Sequence, residues 1–132
     1  MSDFFQSEMV RGDLQEMTDL QMYCMRASSM IYALSPIKLN EYFDVLIQLI
    51  EKQKTFYFRM KLSEDEEAKM MVELMKDFTY QFVGSDDQLI NSSVSEGTPL
   101  EEVFDTLIER VKAQKESIAP AVEEQLRLQG DD

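Results

Sequence analysis

The side chains here that could do chemistry are carboxylates and a single thiol. The chain holds 26 Asp and Glu, one cysteine and no histidine. Without imidazole, a Ser-His-Asp or Cys-His nucleophile cannot be assembled. The Glu-x-x-His pairs of di-iron bundles and the Cys/His sets of structural zinc are excluded in the same way. A buried carboxylate pair for acid–base work needs only burial and spacing, yet nearly every Asp and Glu falls on a polar helical face or at a helix start. The densest run, Glu64-Asp65-Glu66-Glu67, sits where a helix begins and favours carboxylates. Successive helical residues point in different directions and do not converge on one ion. The stretch 84–98 resembles a calcium loop in composition alone, with its oxygen ligands out of register. Asn91-Ser92-Ser93 matches a glycosylation acceptor, which matters only in a secreted chain. The expectation is therefore no enzyme, no catalytic residue, no metal and no cofactor.

Three start signals divide the chain: Ser35-Pro36, Ser63 to Glu66, and Thr98-Pro99-Leu100-Glu101. Each combines a capping side chain with proline or a glutamate three residues on. The first helix is expected over about 4–32, capped by Asp3, with Val10, Leu14, Met17, Leu20, Cys24, Ala27, Ile31 and Leu34 in one stripe. At ~1.5 Å per residue it would be a rod of about 40 Å. Cys24 lies on that stripe and reads as a buried thiol. The second helix is expected over 36–61. Its narrow polar row and wide apolar face mark the centre of the packing. The third, over about 64–82, carries Ala68, Met71, Val72, Met75, Phe78 and Phe82, with Gly84 placed to end it in a left-handed turn. A loop over 84–98 leads to a fourth helix over 99–118, after which Pro120 either kinks it or starts a short fifth over 120–128. No strand signal occurs. The expectation is one all-α domain over 1–132, a long antiparallel helical hairpin extended to a three- or four-helix bundle.

Charge and methionine content bear on partners. Residues 1–62 hold seven Lys/Arg against eight Asp/Glu, while residues 63–132 hold six against eighteen, which together give the net charge of -13. The second half should repel nucleic acid and anionic lipid, so no direct nucleic-acid contact and no membrane association are expected. No apolar run approaches the roughly 18 residues of a membrane span, and Asp3 and Glu8 stand where a signal peptide would be basic. A lone cysteine fits a reducing cytoplasm. Of ten methionines, Met22, Met25 and Met70 lie off the core stripes. Methionine makes adaptable binding surfaces as well as cores. Adjacent Phe4 and Phe5 point about 100° apart on a helix, so one groove cannot bury both. The expected interface residues are Phe4, Phe5, Met9, Met22, Met25 and Met70, facing a protein partner or a second copy.

The opening Phe4-Phe5-Gln6-Ser7-Glu8-Met9-Val10, then Leu20-Gln21, and the segment from Lys52 through Thr55-Phe56-Tyr57-Phe58-Arg59 to Leu62-Ser63-Glu64-Asp65-Glu66-Glu67-Ala68 resemble a small cyanobacterial family of unknown function, versions of which resemble genes of cyanobacterial viruses. Over about residues 4–75, the resemblance implies a helical cytoplasmic protein of bacterial or viral origin, and it transfers no activity. The functional expectation is a non-enzymatic helical adaptor or regulator acting on a host or viral protein complex. The alternatives are an acidic decoy that occupies a nucleic-acid site on an enzyme, and a virion or assembly component.

Overall fold

Phe43, Ile50 and Tyr57 follow one another at seven-residue spacing, and so do Tyr42, Leu49 and Phe56. All six are buried. Seven residues are close to two helical turns, so each series forms a column along one side of a helix. Two adjacent columns let that helix pack against two neighbours at once. In the computed structural model, which describes residues 3–85 and 100–130 (the side chains of Asp3 and of 76–85 excepted), this helix is the hub of the molecule.

The described residues form α1 (Asp3–Gln6), α2 (Glu8–Ser29), a 3-10 turn (Ile31–Ala33), α3 (Pro36–Leu62), α4 (Glu66–Ser85) and α5 (Leu100–Gly130). They include no strand, so the chain is all-α as expected. The Tyr57 ring meets Phe104 of α5 edge-on at 6.0 Å, and Phe56 meets Phe4 of α1 at 5.7 Å. The Phe43 column thus faces α5 and the Tyr42 column faces α1 and α2. Val10, Met17 and Cys24, again seven apart, bury the matching row of α2, and Leu100, Val103, Phe104, Ile108 and Val111 bury that of α5.

Ion pairs along both seams fix the directions. Lys52 pairs with Glu16 and Arg59 with Asp13, so α2 runs antiparallel to α3. Lys61 pairs with Glu101, Lys54 with Asp105 and Asp44 with Lys115. The Ile37 amide donates to Gln125 Oε1 at 2.8 Å. α5 is therefore antiparallel to α3 along almost its whole length.

Four expectations need correction. The first helix does not run over 4–32. Ser7 is extended (φ -60°, ψ 135°), and its carbonyl accepts the Arg11 amide to begin α2. The break folds Phe4 back onto Phe56 instead of carrying it outward on a straight rod. At the other end α2 stops at Ser29, and the chain tightens through the 3-10 turn before Ser35 caps α3, its Oγ accepting the Lys38 amide at 3.3 Å. Second, Asp65 rather than Ser63 caps α4. Ser63 Oγ accepts the Asp65 amide at 3.1 Å, and Asp65 Oδ1 accepts the Glu67 amide at 2.9 Å. Third, α4 passes through Gly84 to Ser85, and no described glycine has a positive φ, so no left-handed turn ends it there. Fourth, the last helix does not end at 118: of the two alternatives at Pro120 the chain takes the continuous one, α5 running through it to Gly130. Pro120 is exposed, where the Glu116 carbonyl that it leaves without an amide can be met by water. The Thr98-Pro99 start and nearly all of the 84–98 loop lie outside the described residues, as do the side chains of Phe78 and Phe82.

Candidate interaction surface

The surface begins with a carboxylate. Asp65 Oδ2 accepts the Phe4 amide at 3.0 Å while Oδ1 holds the first turn of α4. One side chain thereby ties α1 to the start of α4 across 61 residues of sequence. Phe4 lies edge-on to Phe5 at 5.0 Å and also against Phe56, which packs it toward α3. Phe5, one residue on, turns toward α4. With Met70, Met71, Leu74 and Glu67 it lines an open notch of about 290 Å³.

The α4 side chains of this notch are strongly exposed: Met70 65%, Leu74 59% and Met71 40%. Ala68 and Val72, on the opposite side of α4, are buried. Leu74 stands four residues after Met70 and three after Met71, so it lies between the two methionines on one helical face. The two methionines, unbranched and flexible, can re-pack around an incoming apolar group. The notch lining carries no nucleophile.

The expected interface residues separate into three groups. Phe5 and Met70 both line the notch, and Phe4 lies edge-on to Phe5 outside that lining. Met9 is 64% exposed at the start of α2, outside the notch lining. Met22 and Met25, at 55% and 70%, lie on the outward face of α2. They are thirteen and sixteen residues beyond Met9, about 20 Å along the helix, and do not join it. Met71 and Leu74 were not among the expected interface residues. Their signal is present in the sequence: apolar residues at 70, 71 and 74, added to 68, 72 and 75, make an apolar arc wider than one neighbouring helix covers.

The other groups with chemical potential are absorbed by the fold. Burial pushes the Cys24 thiol up, which removes thiolate and with it nucleophilicity. The Tyr42 phenol is pushed up by burial and, secondarily, by that thiol. The groove between α2 and α3, about 360 Å³, is lined by Asp13, Lys52 and Arg59 among others, which are already paired across it. Lys52 is held protonated by its hydrogen bond to Glu16, and Lys61 by that to Glu101. The Lys61 ammonium also lies 5.9 Å from the centre of the Tyr57 ring. Among the described residues no group of three or more His, Cys, Asp or Glu is placed to hold a metal ion. No described helix is long and apolar enough to cross a membrane. In comparisons with known proteins, no family model, no curated protein and no solved structure matches the chain.

Proposed function

We propose that this protein is a non-enzymatic helical interaction module, an adaptor or regulator that docks a protein partner on the Phe5–Met70–Met71–Leu74 notch. The observation that carries this reading is the exposure of Met70 and Leu74 beside Phe5, on a segment anchored at both ends of the contact by Asp65. With the backbone already anchored, the order lost on binding is confined to the exposed side chains themselves, so more of their burial converts into affinity. The acidic-decoy alternative is less well supported. Glu101 and Asp105 of the acidic half are engaged by Lys61 and Lys54 of α3 and serve the fold. The resemblance over residues 4–75 adds a cyanobacterial or cyanophage setting to the proposal.

The test is a photo-crosslinking residue placed at position 70 in cells, with position 123 on exposed α5 as the control. A discrete adduct with another polypeptide from position 70 and none from position 123 is the expected result. No adduct from position 70, or the same adducts from both positions, would overturn the reading.

A further inference from the structure

Resting on that reading, we infer that the notch takes an amphipathic helical segment of a different protein, apolar on one side and flanked by lysine or arginine. The first argument is shape. Met70, Met71 and Leu74 form a short apolar row with the Phe5 ring set against it, the counterpart of one or two apolar turns of an incoming helix.

The second argument is charge. Glu67 is the polar member of the notch lining. On the helical surface of α4, Glu66 lies four residues before Met70 and Glu73 three after it, both exposed, so three glutamates surround the methionine. Lys69 lies 3.8 Å from Glu66, and α4 as a whole carries Glu66, Glu67, Glu73 and Asp77 against Lys69 and Lys76. The rim is therefore negative on a chain whose net charge is -13. A second copy would bring the same acidic rim against itself, and an anionic lipid surface would be repelled likewise. A cationic flank is favoured by the same potential, and such complementarity sets partner choice and on-rate.

The experiment titrates the full-length protein with two synthetic helical peptides that share one leucine face, the first with lysine and the second with glutamate on the flanks. Three variants are compared: M70S/L74S, which removes the apolar row; Glu67→Lys at the rim; and Glu123→Lys on α5, which alters net charge equally but elsewhere. Circular dichroism establishes that each variant retains its helix content. The Lys/Leu peptide should bind the wild type, about tenfold or more weaker to M70S/L74S and to Glu67→Lys, with a change below about twofold for Glu123→Lys. The Glu/Leu peptide should bind at least about tenfold more weakly than its lysine counterpart.

Equal losses from Glu67→Lys and Glu123→Lys would show diffuse charge attraction and overturn the inference. Undiminished binding to M70S/L74S, or equal binding of both peptides, would overturn it too. If both peptides fail while position 70 still crosslinks a partner, the chemistry assigned to the partner is wrong and the docking surface stands. If position 70 crosslinks nothing, the docking surface itself is wrong.

Discussion

The Asp65 carboxylate joins two tasks that proteins usually give to separate residues. It caps α4 through Oδ1, and through Oδ2 it holds the backbone of α1, bringing Phe5 beside Met70. A helix cap contributes about 1 kcal/mol, and a hydrogen bond to a charged group about 1.5–3 kcal/mol. Asp65→Ala should therefore lower stability by about 1–3 kcal/mol in urea unfolding. Asp65→Asn, which keeps an acceptor oxygen, should lose less. At Cys24 and Tyr42 burial opposes ionisation, so both folded pKa values are raised. The folded chain keeps protons that the unfolded chain releases as pH passes the ordinary thiol and phenol ranges, about 8.5 to 10. The unfolded state then binds fewer protons, and stability falls with rising pH above that point, with no contribution from either group below about pH 8. Unfolding measured from pH 7 to 11 should show this decline, and Cys24→Ala should flatten its first part.

At the scale of elements, the start of α3 was legible because Ser35-Pro36 couples a cap to a proline at the first turn, and both act locally. The break at Ser7 was not, because Ser7-Glu8 is a weak local signal, and the Ser7 side chain makes no cap hydrogen bond. The break exists because Phe4 gains a ring contact with Phe56 and an amide bond to Asp65, both distant in sequence. Half of the notch was legible for the same reason: Phe5 and Met70 stand out by type, but only tertiary packing sets them together. The spacing of α4 places Met71 on the core stripe, because spacing alone cannot show which side α3 covers. The wide apolar face of α3 was a sound guide to its central place. Met60 on it is fully buried, so Met60→Ala should cost about 2–5 kcal/mol in denaturant unfolding. Pro120 gives a prediction of the opposite sign. It sits exposed inside α5 and removes one backbone hydrogen bond. Pro120→Ala should raise stability by about 1–3 kcal/mol, read as a higher denaturation midpoint with an unchanged slope.

At the scale of the whole molecule, charge organises what the apolar columns assemble. Four cations of α3, Lys52, Lys54, Arg59 and Lys61, reach outward to carboxylates of α2 and α5. The central helix thereby offsets the acidity of its neighbours, although exposed pairs of this kind each contribute only about 0–1 kcal/mol. On the proposed reading, the charge left over, -13 in total, should keep copies apart and leave the apolar notch to a partner of opposite sign. Light scattering across a wide range of protein concentration, on the wild type and on M70S/L74S, tests that claim most directly. The account predicts the monomer mass of 15.4 kDa for both. A wild-type dimer that reverts to monomer in M70S/L74S would show that the notch is filled by a second copy, and would contradict it.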